Sequence, residues 1–314
     1  MTDGHVRAAA VMVLALAADF LLGEPPNRWH PVAWIGRLLA GGQMHLEVGP
    51  PRALLVRGAM LVAVVGGLAG LAGWALSSAV GPWGLPGVII EALALKLSIC
   101  LRDLLLAARR VSRALERADV VGARRLVGHH LVSRRTRGLD ASLVASATVE
   151  SVAENLTDAF VGPLGCYLFL GLGGSYVYRV VNTADAMIGY REGALEYFGK
   201  VAARLDDFLN LVPARVAALA IVASAGLSGE APCRAWRTMR DNHWRTASPN
   251  AGWTMSAMAG ALGVTLEKRG AYRLGAGPLP GPEHIRRGVG VIFLAALLTV
   301  MGMVGALFLS NYFR

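Results

Sequence analysis

Two runs of this chain, from Gly58 to Val80 and from Gly288 to Ser310, each extend 23 residues without one charged side chain. A helix rises 1.5 Å per residue, so either run is long enough to cross a hydrocarbon core roughly 30 Å thick. Neither has a soluble explanation, and together they predict an all-α, polytopic transmembrane helix bundle. Composition agrees: of 314 residues, 54% are hydrophobic and only 17% charged, against about 25% charged in an average soluble domain. Mean hydropathy is +0.48.

Further apolar runs and their breakers bring the expectation to about five spans within a single integral membrane domain, residues 1–314. The first is Ala8 to Leu22. Ala15-Leu16-Ala17 resembles a signal cleavage site, but the basic region before it is Arg7 alone, so the segment is expected to be retained. A polar connection through Pro25, Pro26, Pro31, Pro50 and Pro51 follows. After the 58–80 run, a Gly-Pro-rich turn leads into Val88 to Leu101, expected to return across the membrane. It carries Glu91 and Lys96, which are costly in a span unless they pair inside the bundle. Ala159 to Gly174, interrupted by Pro163 and rich in Gly, predicts a broken or re-entrant helix. Leu211 to Leu227 and Gly288 to Ser310 complete the set. The tail after the last span holds only Arg314, which predicts an outside C-terminus. Gly66, Gly70 and Gly73 lie near one helix face and suit close helix packing.

The formal net charge of +10 raises nucleic acid, anionic lipid and phosphorylated substrates as partners. Position decides. Arg102, Arg109, Arg110, Arg113, Arg117, Arg124, Arg125, Arg134, Arg135 and Arg137 all fall in residues 102–140, directly after an apolar hairpin, where the positive-inside rule places cytoplasmic loops. Leu101, Leu104, Leu105 and Ala108 continue one face there, and Ala114, Leu115 and Ala118 another, so the segment reads as basic, cytoplasmic and helical. Interspersed acids and few aromatics argue against nucleic acid. Cys100, Cys166 and Cys233 are isolated, and His129 beside His130 is a poor chelator because helical neighbours point about 100° apart.

Polar residues are the informative ones in so apolar a chain, and they gather in four patches. Asp19 with Gly23-Glu24-Pro25 and His30-Pro31-Val32 forms the first. In the second, Glu150, Glu154 and Asp158 stand at i, i+4 and i+8, which on a helix puts three carboxylates on one face beside Ser151 and Asn155. Like charges so placed repel, so Arg side chains or a Mg²⁺ carried by nucleotide phosphates are expected against them. The third patch, the densest, holds Arg179, Asn182, Thr183, Asp185, Arg191, Lys200, Arg204, Asp206, Asp207, Asn210 and Arg215, a mixture suited to holding phosphates and positioning a metal. Ser248-Pro249-Asn250-Ala251-Gly252-Trp253 is the fourth, followed by small residues and Glu267-Lys268. Residues 150–215 and 241–270 are therefore the expected active-site regions. No Walker loop, dinucleotide fingerprint, GxSxG elbow or HExxH pair is present, which makes P-loop ATPases, Rossmann enzymes, serine hydrolases and zinc proteases poor fits.

In their order and spacing these patches resemble the adenosylcobinamide-phosphate synthase family of cobalamin biosynthesis, the membrane proteins called CobD or CbiB, over nearly the whole chain. The resemblance runs through Glu150-Ser151-Val152-Ala153-Glu154-Asn155, Asn182-Thr183 with Asp185, Ala203-Arg204 with Asp206-Asp207 and Asn210, Pro213-Ala214-Arg215, and Ser248 to Gly252. Glu24 departs from it where Asp is commoner, Arg179 where Lys is frequent, and Thr254 where Pro often follows the Trp. What it implies is ATP-dependent joining of adenosylcobyric acid to (R)-1-amino-2-propanol O-phosphate, with ATP and Mg²⁺ as cofactors. Glu150, Glu154, Asp185 and Asp206 would be catalytic, and Glu150, Glu154, Asp158 and Asp207 metal ligands. His30, Arg179, Asn182, Thr183, Arg191, Lys200, Arg204, Arg215 and Asn250 would bind substrate or phosphate. The resemblance places the protein in the cell membrane, its site facing the cytoplasm, in contact with lipid and with other late-pathway membrane proteins, and leaves the oligomeric state open. A transporter would set its charges at midplane on the spans, whereas most here lie between them; a non-catalytic scaffold would leave three carboxylates on one face unexplained.

Overall fold

The computed structural model describes residues 3–132 and 136–312; Arg134, Arg135 and Arg314, used above, lie outside them. The described chain is almost wholly helical, with one short hairpin as the exception. The helices begin with α1 (Asp3–Leu22), α2 (Pro31–Leu46), α3 (Pro51–Val80), α4 (Leu85–Lys96), α5 (Arg102–Glu116), α6 (Val120–His130) and α7 (Ala141–Leu156). A π turn, Thr157–Val161, leads into α8 (Gly162–Ile188), then α9 (Leu195–Phe198), α10 (Lys200–Leu209), α11 (Leu211–Leu227), α12 (Pro232–Asn242) and α13 (Ala251–Leu262). The hairpin is β1 (Leu266–Lys268) with β2 (Tyr272–Leu274), and α14 (Pro282–Tyr312) ends the chain.

Four helical stretches are long and apolar enough to cross a membrane, Gly4–Leu22, Pro51–Trp83, Ala141–Ile188 and Pro282–Leu309, and the bent pair Lys200–Leu209 with Leu211–Leu227 makes a fifth. The protein is a multi-pass membrane protein of the expected class. One expected span is corrected: the return segment Val88 to Leu101 is a helix only from Leu85 to Lys96, 12 residues, which at 1.5 Å per residue reaches about 18 Å and falls short of the bilayer core. The broken helix is present, but the break sits at Gly171 (φ 65°, ψ −164°), not at Pro163. Pro163 follows the π turn at the second residue of α8, where a missing N–H costs little, whereas the backbone at Gly171 lies in a region that only glycine enters readily.

Two compact units divide the chain: Met1–Cys100 with Gly162–Asn210 and Met303–Arg314, and Leu101–Val161 with Leu211–Gly302. In the first, α3 packs along α8 through the predicted glycine face. A Cβ on Gly73 would stand 2.9 Å from Gly173 Cα, and one on Gly70 2.9 Å from Val177, so the two backbones approach closely because side chains are missing there. Ile35, Leu39, Leu61, Val65, Val181 and Phe198 are among the buried residues of this unit's core. Leu68, Leu71 and Trp74 of α3 stay exposed, as a lipid-covered face requires.

The second unit centres on α7 and α13, whose residues 143–153 and 254–262 are buried without interruption. Such all-round burial is possible because both helices are rich in small residues, Ala and Ser above all. α11 and α12 pack on α13, and α5 on α6 and α7. The end of α13 is closed by Gly263 in the left-handed conformation (φ 71°) and by Arg234, which donates to the Gly260 and Ala261 carbonyls at 2.6 and 3.1 Å, a cation at a helix C-terminus. The basic segment is helical, with Leu104, Leu105, Ala108 and Leu115 buried and Arg109, Arg110, Arg113 and Arg117 exposed. Ala118, expected on the apolar face, is instead exposed at a turn with φ 58°.

Candidate functional site

In the first unit the charges that made α4 an unlikely free span are buried and paired. Glu91 accepts from Arg7 at 2.8 and 3.0 Å, from Ser77 at 3.1 Å and from Tyr167 at 3.0 Å. Lys96 donates to Glu24 at 2.8 Å and lies 4.0 Å from Asp19. His30 completes this group. Its Nδ1 accepts the Val32 N–H at 3.1 Å, capping α2, so Nε2 carries the proton that meets Glu24 at 2.5 Å. Burial alone would push the Glu24 carboxyl up; the hydrogen bonds from His30 and Lys96 and their charges outweigh it and hold the group below its ordinary 4.5.

The same unit brings part of the third patch together. Arg179 donates to Asn182 Oδ1 (3.2 Å), Asn182 to Asp206 Oδ1 (3.2 Å), Asn210 to Asp206 Oδ2 (3.0 Å), and Tyr178 to Asn210 Oδ1 (2.7 Å). Every donor is directed along this chain toward the Asp206 carboxylate, so the polarisation of one bond strengthens the next. The second half of α8 supplies three of these residues and α10 with its end supplies the others, which is why they lie about thirty residues apart in sequence yet touch. Thr183 and Asp185 are half-buried near the end of α8. Arg191, Lys200 and Arg204 are exposed; Lys200 pairs with Glu196 at 3.4 Å and Arg204 stands 4.0 Å from Asp207.

In the second unit Glu150 and Glu154 line a cavity of about 240 Å³ with Ser151, Lys268 and Tyr272. Glu150 is buried and its oxygens accept from Ser146 (2.7 Å) and Tyr272 (2.8 Å). Ser146 in turn accepts the Glu267 N–H at 2.7 Å, so the hairpin is tied to the same carboxylate. Asp158 does not continue the α register of Glu150 and Glu154, because the π turn takes over at Thr157; such turns recur at functional positions. Elsewhere in this unit Arg215 donates to Asn250 Oδ1 at 2.8 Å and stacks on Trp253 at 4.7 Å, while His243 lies 4.0 Å from the same ring. Among the described residues, no three His, Cys, Asp or Glu side chains are arranged to hold a metal ion.

Sequence reasoning missed Ser146 and Tyr272 as site residues, and passed over the hairpin that carries Tyr272. The signal was there: Leu266-Glu267-Lys268 and Tyr272-Arg273-Leu274 alternate around Gly270, a hairpin pattern.

A multi-pass helical membrane protein with buried ion pairs and a carboxylate-lined cavity is thus the class that fold and site define. The family model described as CobD/Cbib protein matches residues 12–292. A cobalamin biosynthesis protein CobD of Dehalococcoides mccartyi is 38% identical over 96% of this chain and 98% of its own length. Another from Chromobacterium violaceum is 40% identical, covering 91% and 93%, and a probable CobD of Methanothermobacter thermautotrophicus 38% identical, covering 85% and 86%. No solved structure matches. The chain belongs to the CobD/Cbib family.

Proposed function

We propose that the protein forms the amide between a carboxyl group of adenosylcobyric acid and the amine of (R)-1-amino-2-propanol O-phosphate, with ATP consumed, to give adenosylcobinamide phosphate. Membership of a cobalamin-biosynthesis family supports the pathway. The observation that carries the chemistry is the pair Glu150 and Glu154, one helical turn apart on one cavity wall.

Mg²⁺ keeps much of its water and takes one or two carboxylates together with phosphate oxygens, so it needs no three-acid cluster; Glu150 and Glu154 fit such an ion. ATP with Mg²⁺ supplies the phosphoryl group that turns the carboxyl oxygen into a leaving group. The chain's own residues do the rest. Glu150, held by two hydroxyl donors, keeps a fixed orientation, and Glu154, half-buried on the same wall, takes, on the carboxylate oxygen that an ion would leave open, the proton that the attacking amine gives up. In the first unit Arg179, Arg191, Lys200 and Arg204 are cations for phosphate, with Asp185, Asp206 and Asp207 as carboxylates and Asn182 and Thr183 as orienting groups. Arg215 and Asn250 do the same in the second. Asp158 is a further candidate ligand, and His30 acts through its cap on α2. The site is proposed to face the cytoplasm of the cell membrane, where ATP is found, with other late-pathway membrane proteins as neighbours.

The test is incubation of purified protein in detergent with adenosylcobyric acid, aminopropanol phosphate, Mg²⁺ and ATP. Product that depends on ATP is expected; a folded sample that makes none removes the ligase reading.

A further inference from the structure

Residues 25–57, between the first span and the charge-free run of α3, carry four arginines, Arg28, Arg37, Arg52 and Arg57, against one acid, Glu47. All four arginines are exposed, and among the described residues none is paired with a carboxylate. Glu47 is held by Gln43 at 2.8 Å. Most of this stretch is α2, which has two unlike faces. Its Ile35 and Leu39 are buried in the core with Leu54 and Leu61 of α3 and Ile188 of α8. A Cβ on Gly42 would run into the Leu61 side chain, so the two helices approach closely there. On the outer side Trp34, Arg37, Leu38 and His45 stand at i, i+3, i+4 and i+11, one stripe of a helix, and all are exposed. The loop before α2 adds Trp29, 63% exposed, with the Arg28 guanidinium 5.9 Å from its ring centroid. Trp34 Nε1 donates to the Arg28 carbonyl at 2.8 Å, which ties this loop to the helix.

We propose that α2 lies in the plane of the membrane interface and binds the headgroups of acidic phospholipids through Arg28, Arg37, Arg52 and Arg57. The helix joins two segments long enough to span, Gly4–Leu22 and Pro51–Trp83. Leu54 and Leu61, the α3 residues it covers, flank Gly58, where the charge-free run begins. That sets α2 at the depth where hydrocarbon gives way to water, and Arg52 and Arg57 at its side. Tryptophan concentrates at this depth, and a face that mixes indole, guanidinium and alkyl groups is what an interfacial helix carries. Charge then selects the lipid: four guanidiniums against one acid favour anionic headgroups over zwitterionic ones. A soluble phosphate needs cations that converge on one point. These are strung along a helix of 16 residues, about 24 Å long, and its two flanks, which matches headgroups spread in a plane. The surface is independent of the ligase reading and uses none of the cations which that reading gives to phosphate.

The test is made on the full chain in phosphatidylcholine vesicles that contain, at equal fractions, either phosphatidylglycerol or phosphatidylcholine with brominated acyl chains. Bromine quenches the tryptophans that a labelled lipid touches. Stronger quenching by the phosphatidylglycerol is expected, corresponding to a relative affinity on the order of fivefold or more. The preference should shrink as salt is raised, because exposed charges are screened. Arg28→Gln, Arg37→Gln and Arg52→Gln combined should remove most of it, and the three corresponding Lys replacements should keep it. Among the described residues none of these three side chains donates a hydrogen bond, so the Gln variant should unfold at the wild-type midpoint. Trp29→Phe with Trp34→Phe should lose the excess quenching, whereas Trp74→Phe, which removes an exposed indole from the middle of α3, should retain it. Equal quenching by the two lipids in wild type overturns the proposal and leaves the face to zwitterionic lipid or to a protein partner. An undiminished preference in the Gln variant, or excess quenching that survives loss of both Trp29 and Trp34, overturns it as well.

Discussion

Tyr272 donates a 2.8 Å hydrogen bond to Glu150 across 122 positions of sequence. Because Glu150 is buried, each donor removed leaves charge less well satisfied, at a cost of about 1.5–3 kcal/mol for a hydrogen bond to a charged group. Tyr272→Phe should therefore lower the thermal unfolding midpoint in detergent and also reduce kcat. An unchanged midpoint together with unchanged turnover would mean that the contact positions nothing.

Glu154→Gln and Asp206→Asn should each lower turnover by orders of magnitude while leaving membrane insertion intact, since amide replaces carboxylate at nearly constant volume. Near-normal product formation by both would send the search for the working carboxylates elsewhere.

Glu91 satisfies Arg7, Ser77 and Tyr167 together. Glu91→Ala strands a largely buried guanidinium and should destabilise the protein by about 3–5 kcal/mol, whereas the double change Arg7→Met with Glu91→Met should recover much of that loss. Denaturation midpoints of the single and double variants decide; equal losses would show that the pairing is not what holds α4.

At Gly58 a Cβ would run into the carbonyl oxygen of Phe198, and at Gly171 any Cβ is strained by φ 65°. Gly58→Ala should cost about 1–3 kcal/mol through overpacking, and Gly171→Ala a similar amount through the backbone. Gly67→Ala, where a Cβ meets nothing within 4 Å, is the control and should leave expression and the melting midpoint unchanged.

Glu24 sets a pH dependence. Its folded value lies below 4.5, so at pH near and just under 4.5 the unfolded chain binds more protons than the folded one. The stabilisation is complete above that range and is lost as pH falls through the folded value. A melting series from pH 6 to pH 3 should show a decline that is shallower in Glu24→Gln; parallel curves would remove the assignment.

How much of this was legible beforehand depends on the range of the interaction concerned. The spans at α1, α3 and α14, the glycine face of α3 and the pairing of Glu91 and Lys96 follow from local apolarity and from the cost of charge in lipid, and both are written in consecutive residues. The return span failed because hydropathy does not register that Leu97 to Leu101 leave the helix after Lys96.

Glu150 and Glu154 could be placed on one face by counting, since helical geometry is local, but Asp158 could not, because a π turn is a tertiary compromise. Of the partners that give Glu150 its environment, Ser146 comes from the preceding turn of the same helix, whereas Tyr272 arrives from a hairpin 122 positions away by chain folding. Sequence by itself determined that this chain lives in a membrane, that it is helical, and which charged residues need a reason to exist. Only the tertiary structure decided which of them meet, because a buried charge states that it must have a partner and says nothing about where along the chain that partner lies.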